Sequence, residues 1–173
     1  MPGRPAPDEY APFYGGYIGA VPDGDLFDVL AEQPDAWAAL LHGADADHAY
    51  AEGKWTVREL VQHVADTERV FAFRALWWAR GSADPLPGFD QDVWVRHDPG
   101  QSLDALVSEI RAIRASTLAF VRALPEAAWD RGGEASGRRM TVRAAVWIVA
   151  GHMRHHAGVL RERYGLSEAA PGG

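Results

Sequence analysis

Residues 141–164 read TVRAAVWIVAGHMRHHAGVLRERY and have the pattern of one long amphipathic helix. On a helix that turns roughly 100° per residue, the apolar side chains gather on one side. They are Val142, Ala145, Val146, Val149, Met153 and Leu160. His156 lies near the middle of that side and His152 at its edge, whereas His155 points toward solvent or a partner. We therefore predict a core helix that carries two imidazoles on one face.

A metal site is one interpretation of these histidines. The four-residue spacing stacks His152 and His156 on one helix face, so both could bind one divalent ion. The spacing of His152 and His155 would also permit a shared ion, but His155 leaves the apolar side. His63 borders the apolar face of another predicted helix, and bundles commonly build metal sites between neighbouring helices. The alternative is that each is an ordinary surface or hydrogen-bonded histidine.

The helix that contains His63 has the clearest start signal in the chain. Thr56 and Glu59 have the spacing of a capping box, in which the threonine oxygen accepts from the third amide and the glutamate reaches back. We expect this helix to run to about Ala79 and to end before Gly81.

Two further helices are predicted from apolar periodicity. The first covers residues 25–42, where Pro34 should cause a kink or a restart, because proline lacks a backbone donor and clashes with the preceding turn. The other covers residues 102–124, and Pro125 stops it. With the helices that carry the histidines, these make four amphipathic helices.

The remaining segments lack helical periodicity. Residues 1–24 are predicted to form an extended arm packed on the surface, and residues 131–139 a polar, glycine-rich connection. Residues 81–100 form a long loop that either crosses over or carries a short extra turn, and such loops are often functional. Residues 167–173 should be a flexible tail. No stretch predicts a strand, so we expect an all-α helical bundle that forms a single domain over residues 1–173.

Composition excludes several classes of protein. The formal net charge of −7 is opposite to the basic footprint of a nucleic-acid-binding domain. No stretch is long and apolar enough to span a bilayer, and residues 1–5 lack the apolar core of a signal peptide, so a cytoplasmic location is expected. The absence of cysteine excludes disulfides, thiolate metal sites and a cysteine nucleophile. Any thiol chemistry would need a thiol from a substrate or cosubstrate.

Three neutral histidines would leave a metal its full positive charge and an open position, as in catalytic sites. Imidazoles suit Zn²⁺, Ni²⁺, Cu²⁺ or Fe²⁺, and the sequence does not separate these ions. Such an ion strongly acidifies a bound water or thiol, which then becomes a nucleophile near neutral pH.

Four carboxylates near the predicted site are candidates for supporting roles. Glu68 lies toward the core side of its helix and could orient a ligand or act as a catalytic base. Asp66 projects away from the apolar face, which favours a surface salt bridge. Asp90 and Asp92, in the long loop, could line the mouth of a cleft or stabilise turns.

Three segments together resemble the DinB-like superfamily, which includes the YfiT-type metalloenzymes. They are GKWTVRELVQHVADTER at 53–69, PLPGFDQD at 85–92 and AGHMRHH at 150–156, with LRERY at 160–164. The arm residues PDEY at 7–10 add to the likeness.

The resemblance implies more than the residues do by themselves. It implies a four-helix bundle with up-down-down-up topology and a long crossover between the second and third helices. It implies a metal triad at His63, His152 and His156, usually with zinc or nickel, and a homodimer. Some relatives are S-transferases or isomerases that use bacillithiol, mycothiol or glutathione. Pro34 departs from the family pattern and puts the continuity of the first helix in doubt.

The leading hypothesis is a metal-dependent enzyme that acts on a small-molecule substrate. Its ion would activate a low-molecular-weight thiol, in an S-transferase-like reaction, or water, in a hydrolase reaction. The alternative is a non-catalytic, stress-related protein in which a structural metal ties the second helix to the fourth. Binding to DNA is disfavoured by the acidic charge balance.

Overall fold

The computed structural model describes residues 2–167. Within them the chain forms six α-helices and one antiparallel pair of strands. They are α1 (Gly15–Ala20), α2 (Leu26–Leu41), α3 (Val57–Ala79), α4 (Gln91–Val95), α5 (Leu103–Arg122), β1 (Gly132–Ala135), β2 (Arg138–Thr141) and α6 (Val142–Glu162). Short 3-10 turns lie at Pro7–Glu9, Pro12–Tyr14 and Glu126–Ala128. Apart from Ser167, the predicted tail lies outside the described residues.

The four long helices begin within a residue of their predicted starts, and each start has a capping side chain. Asp25 accepts from the amide of Phe27, Ser102 from that of Ala105 and Thr141 from that of Ala144. At α3, Thr56 and Glu59 form both hydrogen bonds of the capping box. Each cap satisfies an amide that has no partner inside its helix, so the starts could be read from local sequence alone.

Two apolar clusters set the direction of the four helices. One cluster joins the first halves of α2 and α6 to the second halves of α3 and α5. The other joins the second halves of α2 and α6 to the first halves of α3 and α5. α2 and α6 therefore run one way and α3 and α5 the other, which is the up-down-down-up bundle expected from the resemblance.

Because α3 and α5 run in the same direction, the chain between them must return along the bundle. Residues 80–102 make this crossover, and the extra turn considered for it is α4. Leu86 ties the crossover to β1, since its amide donates to Glu134 and its carbonyl accepts from Ser136. The crossover is thus fixed beside the second half of α3.

The absence of strands was a wrong prediction. β1 and β2 form a hairpin in which Gly132 pairs with Thr141 and Ala135 with Arg138. The two-residue turn, Ser136 and Gly137, has positive φ at both positions, as a tight hairpin turn requires. Each strand has only four residues, and β1 is half glycine, so neither shows the apolar alternation that predicts a strand.

The extended arm was also partly wrong. Residues 7–20 contain two 3-10 turns and α1, whose six residues include three glycines and are too few for a periodic pattern. α1 lies against α6 at Gly151, where an added Cβ would stand 2.0 Å from the carbonyl oxygen of Tyr17. Because Gly151 has no side chain, the backbones of α1 and α6 can pack in direct contact. This contact stabilises α1, which has little helical tendency of its own.

The restart expected at Pro34 does not occur, because α2 is continuous from Leu26 to Leu41 with Pro34 inside it. Proline cannot donate to the carbonyl four residues earlier, which is that of Leu30. The guanidinium of Arg114, on α5, donates to this carbonyl instead. A tertiary contact therefore supplies the hydrogen bond that the helix lacks.

None of the helices between residues 2 and 167 combines the length and apolar character needed to cross a membrane.

Candidate metal centre

Two antiparallel helices bring the three predicted histidines together. His63 lies in the second turn of α3, and His152 and His156 lie on successive turns of α6. The Nε2 atom of His152 is 3.1 Å from that of His63 and 3.0 Å from that of His156. One ligand atom from each ring lies within 4.8 Å of the other two. The three rings thus face one shared point between α3 and α6.

Burial keeps these rings neutral. His63 and His152 are only 5% and 6% exposed, and His156 is partly buried. Loss of hydration lowers the pKa of His63 to about 4 and that of His156 to about 3, and it lowers the pKa of His152 well below its usual value. Neutral imidazole is the form that binds metal ions, so near pH 7 the rings are in the binding form.

The arrangement of the three Nε2 atoms suits the binding of one divalent ion better than it suits hydrogen bonds among the three rings. A neutral imidazole nitrogen either donates or accepts, so three Nε2 atoms that converge cannot all be satisfied by mutual hydrogen bonds. Two nitrogens that bind the same ion at about 2.1 Å lie roughly 3.0–3.4 Å apart. The two observed separations, 3.1 and 3.0 Å, match this spacing.

Side chains beyond the triad hold the rings in place. Nδ1 of His63 lies 3.5 Å from the hydroxyl oxygen of Thr67, and the indole of Trp55 lies 5.0 Å from the His63 ring. The ring of Tyr17 meets His152 edge to face at 5.3 Å. Partners of this kind orient ligand rings. The contact of Tyr17 left no signal in the sequence, because it depends on how α1 packs against α6.

Two cavities border the triad. The polar cleft, with a volume of 750 Å³, is bordered by His156 and by charged residues. Its charged residues are Lys54, Glu59, Asp92 and Arg96. The aromatic pocket, with a volume of 250 Å³, is bordered by His63 and His152. Its rings are Phe13, Tyr14, Tyr17, Phe71 and Phe89. Small molecules can therefore approach the histidines from two sides.

Glu68, predicted as a catalytic base, makes other contacts. Its two carboxylate oxygens accept from Nε and a terminal nitrogen of Arg114 at 2.9 and 2.8 Å, and the residue is 5% exposed. Both oxygens are therefore occupied by hydrogen bonds from one guanidinium. The catalytic role of Glu68 stays a prediction, and its contacts favour a structural role.

The other three candidate carboxylates make three different kinds of contact. Asp66 forms the expected salt bridge with Arg69, at 3.4 Å, near the surface. Asp90 caps α4 by accepting from two amides. Asp92 borders the polar cleft together with His156, and its charge opposes the lowering of the pKa of His63. Asp92 is thus the aspartate of this set that faces the candidate centre.

Fold and site together define a four-helix bundle protein with a candidate metal centre between two of its helices. The chain belongs to the DinB superfamily, whose family model matches residues 27–160.

Two curated relatives are similar over most of the chain. A proposed metal-dependent hydrolase of Oceanobacillus iheyensis is 24% identical over 119 residues, which are 67% of this chain and 68% of the relative. Another, from Geobacillus thermodenitrificans, is 25% identical over 148 residues, which are 79% of this chain and 82% of the relative.

The fold is shared with a solved structure, YfiT from Bacillus subtilis, a proposed metal-dependent hydrolase with an unusual four-helix bundle topology. The TM-score is 0.72 at 22% sequence identity, and the match covers 82% of this chain and 87% of that chain.

Proposed function

We propose that this protein is a metal-dependent hydrolase whose divalent ion is held by Nε2 of His63, His152 and His156. The observation that carries the proposal is the convergence of three neutral imidazole nitrogens beside two cavities. The names of both curated relatives support hydrolysis as the reaction. Zinc and nickel are the first ions to test, because both bind imidazole well.

The proposed ion and two nearby side chains would each have a distinct role at such a site. When bound, the ion acidifies a water or thiol so that it becomes a nucleophile near neutral pH. Thr67 fixes the ring of His63 through Nδ1, which directs Nε2 toward the shared point. Asp92 offers a carboxylate in the polar cleft that can accept the proton released from the nucleophile.

A catalytic role is favoured over a structural metal. Closed structural sites usually supply four protein ligands, whereas catalytic sites leave a position open. Within residues 2–167, the cluster contains three ligand residues, and it borders both the polar cleft and the aromatic pocket. A substrate group could therefore reach the open position.

Thiol transfer is the second candidate function, and the polar cleft is the observation that favours it. The chain has no cysteine, so the thiol would come from a cosubstrate. Low-molecular-weight thiols carry carboxylates and amines, and the cleft places Lys54 and Arg96 beside Asp92 and Glu59. Its 750 Å³ is large enough for such a molecule next to His156.

Metal binding is tested by measuring zinc and nickel affinity and stoichiometry of the purified protein. We expect one ion per chain, and we expect His63→Ala and His156→Ala to weaken binding by more than about 100-fold, since even residues behind the ligands contribute 10–100-fold. His155→Ala is the matched control, because His155 is exposed on the same helix. Equal affinity in all three variants would overturn the proposed centre.

The reaction is tested with metal-loaded protein on aryl esters and lactones, and on chlorodinitrobenzene with several thiols. Ester or lactone turnover that is lost in His63→Ala and retained in His155→Ala supports hydrolysis. Turnover only when a thiol is added supports the second candidate. A metal-loaded protein that turns over neither class, and whose metal resists exchange, would instead support the structural-metal alternative.

A further inference from the structure

Arg74, on α3, is a buried cation without a counter-ion. It is 2% exposed, and one terminal nitrogen donates to the carbonyl of Pro87 at 3.0 Å and to the hydroxyl of Ser136 at 3.2 Å. The hydroxyl of Tyr14 is a further hydrogen-bond partner. Among residues 2–167, the structure gives Arg74 no ion pair with a carboxylate. All its partners are neutral.

This isolation is unusual for a buried guanidinium. Arg114 is equally buried, at 1% exposed, but Glu68 neutralises it with two hydrogen bonds. A buried charge without a partner carries a large solvation cost, so proteins retain it mainly for a purpose. Burial also lowers the pKa of Arg74, and the smaller opposing effect of Tyr14 does not cancel this shift. An arginine nevertheless stays charged at all physiological pH values.

The position of Arg74 suggests that purpose, because it borders the same aromatic pocket as His63 and His152. The guanidinium also lies 5.0 Å from the centre of the Phe71 ring. Apart from the cation and the two histidines, the pocket is lined mostly by aromatic rings. The cavity therefore combines a fixed positive charge, a flat apolar lining and the candidate metal centre.

We propose that the aromatic pocket binds an organic anion with a flat, apolar body, whose carboxylate pairs with Arg74. A guanidinium presents its donors in a planar fork that matches a carboxylate. The volume of 250 Å³ suits a molecule built around a single ring. With the carboxylate on Arg74, the rest of the molecule points toward His63 and His152. The statement that this anion is the substrate class rests on the proposed function.

The crossover and the hairpin hold Arg74 in this position. Pro87 belongs to residues 80–102, and Ser136 lies at the turn between β1 and β2. Ser136 has a φ of 54°, and its hydroxyl also lies 3.2 Å from where a Cβ of Gly88 would be. The crossover and the hairpin thus meet at this arginine.

The test uses benzoate and its neutral analogue benzamide as probes, with affinities measured by calorimetry. Both the metal-loaded and the metal-free wild-type protein are titrated, because benzoate could also bind the metal. We expect benzoate to bind at least tenfold more tightly than benzamide in both forms, since charge-assisted pairs are about twice as strong as neutral hydrogen bonds. We expect Arg74→Gln to abolish the difference and Arg74→Lys to retain part of it. Arg80→Gln, an exposed arginine on the C-cap of α3, should behave as wild type.

Three outcomes would overturn the inference: equal binding of benzoate and benzamide, unchanged benzoate affinity in a folded Arg74→Gln, or benzoate binding that requires the metal. Each leaves the proposed function intact if the metal assays succeed. If instead the chain binds no metal but Arg74→Gln still loses benzoate, the anion pocket stands and the proposed function fails. The comparison of the two probes in the wild-type protein needs no variant, so a poorly folded Arg74→Gln would not prevent a decision.

Discussion

Arg114 connects all four long helices through one guanidinium. It pairs with Glu68 on α3, donates to the carbonyl of Leu30 and the amide oxygen of Gln33 on α2, and contacts the sulfur of Met153 on α6 at 3.2 Å. Each of these partners accepts a hydrogen bond from the guanidinium, and the carboxylate of Glu68 neutralises its buried charge. The network adjoins the candidate centre, since Met153 follows His152 in the chain.

We predict that Glu68→Gln destabilises the protein by about 3–5 kcal/mol, because it leaves the Arg114 charge buried without a counter-ion. Urea unfolding measures this loss. Asp35→Asn is the matched control, because it removes an exposed ion pair with Arg111, and the expected change is within about 1 kcal/mol. If Glu68→Gln unfolds as the wild type does but loses activity, Glu68 is the catalytic base and the structural role is wrong.

Tyr164 makes stability depend on pH in the alkaline range. Its hydroxyl donates to the carbonyl of Trp55 at 2.7 Å, and burial raises its pKa from 10.0 to about 12. Between these values the unfolded chain loses this proton and the folded chain keeps it, so stability falls as pH rises from about 10 to 12. We predict a flatter profile for Tyr164→Phe, measured by urea unfolding between pH 8 and 11. Identical slopes for the two proteins would contradict this assignment.

At the scale of elements, the contact between α1 and α6 depends on one missing side chain. We predict that Gly151→Ala destabilises the protein by about 1–3 kcal/mol, the usual cost of overpacking, because its Cβ would meet the backbone of Tyr17. Gly158→Ala, on the same helix with open space around it, should instead stabilise by up to about 1 kcal/mol through helix propensity. Thermal unfolding of the two variants measures both changes.

Equal effects of the two alanine substitutions would show that α1 does not lie on Gly151. Increased proteolysis within residues 7–20 of Gly151→Ala would confirm that the loss comes from α1. Because Tyr17 covers His152, we also expect this variant to bind metal less tightly.

At the scale of the whole molecule, the proposed ion would link two antiparallel helices that already pack together. The apolar clusters at both ends of the bundle, and the Arg114 network between them, do not require an ion. The fold should therefore survive without metal.

We predict that a chelator lowers the melting temperature without abolishing the cooperative transition. A ligand at 100 times its dissociation constant stabilises by about 2.7 kcal/mol, which sets the scale of the shift. Added zinc or nickel should reverse the effect in the wild type and have no effect on His156→Ala. Loss of the cooperative transition in the chelated protein would show that the metal is part of the fold.

Local sequence was sufficient for the four long helices and for the choice of histidines. Thr56 and Glu59 mark the start of α3, because a cap is a contact between residues three apart. His152 and His156 could be chosen over His155 because helix periodicity determines the face on which each side chain lies. In the structure, ligand atoms of this pair and of His63 lie within 4.8 Å of one another.

What the sequence determined by itself was therefore the set of amphipathic helices and the faces of their histidines, since both depend on spacing within one helix. Tertiary structure decided that α1 forms against Gly151, that α2 continues through Pro34 and that Glu68 forms an ion pair with Arg114. It also placed Arg74 beside the histidines without a counter-ion. These features join residues that are distant in the chain, and no local periodicity or propensity encodes such contacts.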